Sequence, residues 1–334
     1  MRAAEKTPSP NGLASWIYQT ISEPARGSRW LRRCLRAVRS AWLKWHDPAV
    51  TFTTNGFGKL MVPFSHDLGL AVALYPGYCR NLGRLADAIG EKYPGFPSID
   101  VGANVGDSAR LLRRSACAVV LCVEGAPEFL PYLRANIRED GAVELDATFV
   151  ATGENSRMKM TSARGSLQLE PDVSGDVGGE KLSLILDRHP AFKAGRLFKL
   201  DTDGLDLEII IANLDWIAVA KPVLFFEYLP FFFRRHGSVP ESFFQKLGAV
   251  GYRTAVVYDN FGGWISTFSI SAENAVRDFI TFFERDHDRF YADVALFSTG
   301  DGDIAEKLIE REFIWAKVGN GNTRPSLDQL AGHE

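Results

Sequence analysis

The chain has 334 residues, 46% of them hydrophobic and 24% charged, with a formal net charge of -3. That is the composition of a soluble globular protein, and no run reaches the ~18 apolar residues that a membrane-crossing helix needs. The charge is uneven: residues 1–46 hold nine Lys or Arg against two Asp or Glu, and the remainder holds 29 against 39. An acidic main body argues against nucleic acid as its partner.

The cysteines at 34, 79, 117 and 122 have neither CxxC nor Cys/His spacing. Structural zinc and a disulfide framework are not expected, and a reducing cytoplasm is the simplest setting. Cys117 and Cys122 read as small apolar residues of the interior. No apolar stretch follows Met1 to Lys6, so no signal peptide is expected.

In chain order, Leu13, Trp16, Ile17 and Ile21 have helical spacing, and Pro24 ends that helix. A stronger helix runs from Ser28 to Trp45, with Leu31, Leu35, Val38, Trp42 and Trp45 in one stripe. Arg29, Arg32, Arg33, Arg36, Arg39 and Lys44 take much of its remaining surface. Such a helix either lies on an anionic membrane or packs its apolar stripe on the main domain or a second subunit. Packing is the commoner outcome. Residues 1–49 thus form a basic helical extension, and 319–334 a polar tail.

Val50 to Phe64 alternates around Asn55-Gly56-Phe57-Gly58 and reads as a hairpin. Leu68 to Gly90 reads as one helix. Strands are predicted at Pro97–Val101, Ala118–Val123, Val143–Thr152, Arg196–Asp201, Pro222–Glu227, Tyr252–Tyr258 and Ala292–Phe297. Helices over 108–115, 127–138, 205–218, 240–247 and 272–285 separate them, Trp264 to Phe268 pairs back on the preceding strand, and Ile304 to Lys317 closes the chain as a helix. Arg157 to Leu169 reads as a polar, irregular hairpin or strand, Pro171 to Gly179 as a loop, and Leu182 to Arg188 as strand or helix. Alternating strands and helices imply a mostly parallel sheet covered on both faces. Ligands of such sheets bind beyond the strands' C-terminal ends. Asp100, Glu124, Asp201, Asp203 and Glu227 stand there.

The turn Gly102-Ala103-Asn104-Val105-Gly106 follows the first of these strands and leads into a helix at Asp107-Ser108. It lacks the second Gly of the dinucleotide fingerprint, which admits a pyrophosphate. Asp100 before the turn suits a ligand carrying an amino group. Glu124, about twenty residues on, stands where an acid accepts hydrogen bonds from ribose hydroxyls. These features favour S-adenosylmethionine over a nicotinamide dinucleotide, and no P-loop occurs. Asp100, Gly102, Ala103, Asn104, Gly106, Ser108, Glu124 and Asp201 are the cofactor candidates.

Ile99 to Asp107 resembles the first motif of the FkbM-like methyltransferases. Phe198-Lys199-Leu200-Asp201-Thr202-Asp203-Gly204-Leu205-Asp206 is similar to that family's second signature, K-[IL]-D-x-E-G-x-E. Val123 to Pro127 and Phe149 to Gly153 have the look of its intervening segments. The resemblance covers about residues 50 to 257 and implies a class I methyltransferase domain over 50–318. That fold is Rossmann-like: a mostly parallel, seven-stranded sheet with helices on both faces and an antiparallel last strand. The resemblance also implies O-methylation of a hydroxyl on a sugar, glycan or related metabolite. Asp203 and Asp206 depart from it, standing where the family usually shows Glu.

Methyl transfer to oxygen needs alignment and a group to take the acceptor proton. Asp201, Asp203 and Glu227 are the catalytic candidates, and three carboxylates would also suit a divalent metal. Asp203 could instead cap a helix, and Glu227 could pair with Arg234 or Arg235. Lys199 could neutralise the acids. His66 either reaches the site or serves a helix-start turn, and His236 and Phe231 to Phe233 either line a substrate wall or pack. Two other functions stay open: a nicotinamide-dependent oxidoreductase, and a non-catalytic module binding a glycan, membrane surface or partner enzyme.

Overall fold

The computed structural model describes residues 7–54, 56–75, 77–117, 119–152, 157–163, 166–171, 177–230, 234, 239–284 and 291–319. Helix Gly12–Ser22 opens them, with the Asn11 side chain accepting from the Ala14 amide at 3.0 Å. Its buried Ala14, Ile17, Tyr18 and Ile21 join the same hydrophobic core as the sheet. The Tyr18 hydroxyl donates to the His66 carbonyl at 2.6 Å and accepts from the Gly69 amide at 3.0 Å, which ties this helix to the segment entering the site.

Helix Arg29–Trp42 is capped by Ser28. Leu35 is buried, and Trp42 meets Phe64 edge-on. Leu31 packs half-buried against the core, whereas Val38 is 46% and Trp45 90% exposed. Arg39, expected on the surface, is buried. Its guanidinium donates to the carbonyls of Phe64 and Ser65 and to Asp67, so it clamps the chain just before the site.

Strands β1 (Ala49–Thr54) and β2 (Gly58–Pro63) form the expected hairpin. The single helix expected over 68–90 is two, Leu68–Leu74 and Arg80–Lys92. Pro76 and Gly77 in the sequence account for the break, because a residue before proline is pushed out of the helical region. Tyr75 accordingly has φ -126° and ψ 85°.

Next come β3 (Pro97–Val101), β4 (Val119–Val123) and β5 (Val143–Asp146). The third strand was expected to continue to Thr152. It stops at Asp146, which Thr148 and Arg188 hold at the sheet edge. A short strand β6 (Phe149–Val150) then pairs in a second sheet with β7 (Arg157–Ala163), β8 (Ser166–Pro171) and β9 (Val177–Glu180), in the order β6-β9-β7-β8. Residues 172–176 of the expected loop lie outside the described residues, and Val177 to Gly179 are strand. Leu182–Arg188 is helix.

The main sheet continues with β10 (Leu197–Leu200), β11 (Val223–Tyr228), β12 (Tyr252–Tyr258), β13 (Trp264–Ser269) and β14 (Ala292–Ser298). Its order is β13-β12-β14-β11-β10-β3-β4-β5. The strands β5, β4, β3, β10 and β11 are parallel, and β14 runs antiparallel between β11 and β12. The Rossmann-like expectation holds, with the antiparallel last strand. The sheet has eight strands and not seven, because β13 adds an antiparallel edge to β12. The helix expected over 205–218 is two, Asp206–Ala212 and Leu214–Ala220.

Strand order reverses between β3 and β10: the chain runs outward from β3 to β5, then returns to lay β10 on the other side of β3. That switch leaves a crevice beyond the C-terminal ends of β3 and β10. Helix Arg80–Lys92 closes one side of it and is fixed to helix Gly302–Gly319 by the buried pair Arg84–Glu312, with N–O distances of 2.7 and 2.8 Å. Among the described residues no helix is long and apolar enough to cross a membrane.

Candidate functional site

The turn after β3 is built by backbone conformations that favour glycine. Gly102 has φ +73°, and a Cβ there would lie 2.0 Å from the Asp201 carbonyl oxygen. The loop therefore touches the turn after β10 backbone to backbone. Gly106 has φ +85°, and Asn104 accepts φ +48°, a left-handed conformation that Asn tolerates. The amides of Gly102 and Ala103 donate to the Val123 carbonyl, Asn104 to Glu124, and Gly106 to the Ala103 carbonyl. Four amides of the turn are thus used internally.

Glu124, at the end of β4, accepts from the Asn104 amide at 2.8 Å and the Ala126 amide at 2.7 Å, one on each carboxylate oxygen. Each oxygen keeps acceptor capacity for a ligand hydroxyl. Burial, more than any neighbour, pushes its pKa up to about 7.

Asp100 needs a correction. It was expected to face an amino group of the ligand, and its side chain is fully buried. Its Oδ1 lies 2.9 Å from Lys199 Nζ, and its Oδ2 accepts from the Ser108 hydroxyl. The parallel register sets Lys199 directly beside Asp100. A charge on that buried strand is tolerable only when paired. Asp100 therefore works from behind the wall, by holding Ser108 and Lys199. Lys199 also approaches Asp201, at 3.3 Å. Burial alone would lower its pKa, but Asp100 and Asp201 raise it well above the usual value. Ala103 and Gly106 likewise face neither cavity and only shape the turn.

Two cavities open in the crevice. The smaller, about 490 Å³, is largely apolar, with Phe129, Phe149, Val150, Leu205 and Ile209 in its wall and Glu124 at one side. The larger, about 1210 Å³, is half polar, with Ser108, Lys199, Glu227, Asn260, Tyr291 and Asp293 in its wall. Gly102, Asn104, Asp201 and Asp203 line both. Any group passed between occupants of the two lobes is passed at those four residues.

Asp203 has φ +51° and does not cap the next helix, which starts without a side-chain cap. Asp206 accepts from the Thr202 amide and hydroxyl and from the Glu227 amide, so it braces the turn against β11. Glu227 does not pair with Arg234, whose partners are Glu241 and Glu284. Burial first, then Asp201, Asp203 and Asp206, raise the Glu227 pKa well above the usual value. Arg235, His236 and Phe231 to Phe233 lie outside the described residues.

Sequence reasoning missed Asp293 and Asn81. Asp293 lies directly opposite Glu227 across β11 and β14, and it accepts from Asn81 Nδ2 at 3.1 Å. The available signal was an acid inside the otherwise apolar run of a buried strand. His66 fills both roles considered for it. The Leu68 amide donates to Nδ1 at 3.1 Å, so the ring proton is on Nε2, 3.2 Å from Asn104 Oδ1. Burial lowers its pKa and keeps it neutral. Tyr78 lines the larger lobe, while Tyr75 stacks on Phe261. Among the described residues no three His, Cys, Asp or Glu side chains are grouped to hold a metal ion.

The acids carry a pH consequence. Burial pushes Glu124 and Asp293 up to about 7, and Asp107 and Asp206 up to about 6. Unfolded, such groups ionise near ~4. The folded chain therefore binds more protons in between, and its stability falls as pH rises through that window. Urea unfolding is expected to show the unliganded chain less stable at about pH 8 than at about pH 5, with Glu124 alone contributing about 2–3 kcal/mol. Glu124→Gln should flatten that slope, and stability that rises with pH would contradict the assignment.

No protein-family model matches the chain, and no curated protein matches it. Solved structures do. One is a methyltransferase FkbM from Methylobacillus flagellatus, 12% identical, with a TM-score of 0.31 over 61% of this chain and 44% of that one. The match thus spans less than half of that protein's length. Another is the magnesium protoporphyrin IX methyltransferase ChlM of Synechocystis with bound S-adenosylmethionine, 11% identical, TM-score 0.37, covering 69% of this chain and 82% of that one. A third is the N-methyltransferase NodS of Bradyrhizobium japonicum, 9% identical, TM-score 0.36, covering 67% and 96%. At these scores the likenesses decide nothing about chemistry, which rests on the side chains of this chain.

Proposed function

We propose that this chain is an S-adenosylmethionine-dependent methyltransferase of the FkbM-like kind, acting on a hydroxyl of a sugar, glycan or related polar metabolite. One observation carries the reading: an apolar lobe with Glu124 in its wall opens, at Asp201 and Asp203, into a larger lobe rich in carboxylates. The apolar lobe suits an adenine ring, and Glu124 suits its ribose. Asp201 and Asp203, at the junction of the lobes, favour a cationic sulfonium and oppose a pyrophosphate. The amides used within the turn count against a nicotinamide dinucleotide for the same reason, since a pyrophosphate needs them free.

Bound there, S-adenosylmethionine supplies an activated methyl group. Gly102, Asn104 and Asp201 would hold it at the junction of the lobes. Asp203 and Glu227 face the larger lobe, where a carboxylate can orient an acceptor hydroxyl and take its proton. The many acceptor oxygens of that lobe support a polyhydroxylated acceptor.

Calorimetry with S-adenosylhomocysteine and with NAD tests the reading, followed by a radiolabelled methyl-transfer screen over sugars, glycans and amines. Binding of S-adenosylhomocysteine is expected, with Glu124→Ala weakening it about tenfold or more, as for loss of a charged hydrogen bond. A folded sample that binds NAD and not S-adenosylhomocysteine overturns the cofactor. Binding without transfer to any acceptor favours the non-catalytic module, and transfer only to amines overturns the hydroxyl.

A further inference from the structure

We propose that the outward face of helix Arg29–Trp42, with the groove it forms against Leu74, binds the surface of an anionic lipid bilayer. Arg29, Arg32, Arg33, Arg36 and Leu74 line this groove, which is shallow and open to solvent. The arginines recur at the spacing of one helix face. The helix contains no acidic residue. Among the described residues no carboxylate pairs with Arg29, Arg33 or Arg36, all three exposed, while Arg32 donates to the Pro24 and Gly27 carbonyls. This basic row stands on a chain whose remainder is acidic.

Two tryptophans select the occupant. Trp30 is 74% and Trp45 90% exposed, one beside the row and one just past the helix end. Indole rings left in water have no packing reason here, and they are at home at the boundary of headgroups and acyl chains. Guanidinium groups bind phosphate in pairs of hydrogen bonds. An open row of such charges, without a shaped pocket, fits mobile phosphate headgroups better than a fixed protein surface. The groove also adjoins the site: Leu74 ends the helix whose Leu68 and Ala71 line the larger lobe. Attachment here brings that lobe near the membrane, and the inference stands whether or not the methyl-transfer reading does.

Co-sedimentation of the full chain with phosphatidylcholine vesicles, with or without a third of phosphatidylglycerol, tests it. The chain is expected to sediment with the anionic vesicles only, and less as salt is added. Each of Arg29→Gln, Arg33→Gln and Arg36→Gln is expected to lower the partition about fivefold. Trp30→Ala should weaken binding while leaving the salt dependence unchanged. Equal sedimentation with both vesicle types, or a triple arginine variant that sediments like the parent, overturns the proposal. So does sedimentation velocity showing a dimer that the triple variant dissolves, since a second copy would then be the occupant.

Discussion

Asp100→Ala is expected to lower the stability of the unliganded chain by about 3–5 kcal/mol, the range for removing one partner of a buried ion pair. The cause is Lys199. Its side chain is 5% exposed, and its ammonium would lose the fully buried Asp100 carboxylate. Asp201 cannot take over, because it stands 3.3 Å away with its side chain 55% exposed, where water screens it. Lys199→Met is expected to cost a similar amount, leaving Asp100, among the described residues, with the Ser108 hydroxyl. The double variant Asp100→Ala, Lys199→Met removes both charges and should be more stable than either single one. Urea denaturation of the four proteins decides this. A double variant whose loss equals the sum of the two single losses would show that the pair is not coupled. Affinity for S-adenosylhomocysteine should also fall in Asp100→Ala, by way of the loosened Ser108 and Lys199.

That pair also marks the boundary of what a sequence discloses. Gly102, Glu124 and Asp201 were legible because alternation locates strand ends, and because glycine and acids at strand ends have few other uses in a doubly wound sheet. The direction of Asp100 was not legible. Residues 100 and 199 meet only through the parallel register of β3 and β10, a tertiary fact with no local trace. Asp293 was hidden in the same way, facing Glu227 only once β14 inserts antiparallel beside β11. Arg39 was misplaced because helical periodicity puts a residue on a face without saying what backbone lies beneath. Its partners are three carbonyls and a carboxylate of residues 64–67, themselves presented by the end of the hairpin. The break in the helix at Pro76-Gly77 is different: its signal is local and was there to be used.

Glu227→Gln is expected to lower turnover about 10²–10⁴-fold on the hydroxyl acceptor found by the transfer screen, the usual worth of a positioned general base. Affinity for S-adenosylhomocysteine should change little, because Glu227 lines the larger lobe and not the smaller. Asp203→Asn should disturb both, since Asp203 lines both lobes. A pH profile separates a base from a merely structural carboxylate. Burial, then the charges of Asp201, Asp203, Asp206 and Asp293, hold the Glu227 pKa well above the usual carboxylate value. A base must be ionised to take a proton, so turnover should rise with pH through that raised value and then level. Asp293 faces Glu227 directly across the strands, and two carboxylates so placed resist ionising together. Asp293→Asn removes one of those charges, so the rise in turnover should move to lower pH with S-adenosylhomocysteine binding retained. A profile unmoved by Asp293→Asn would take the proton-accepting role away from Glu227 and leave it to Asp203.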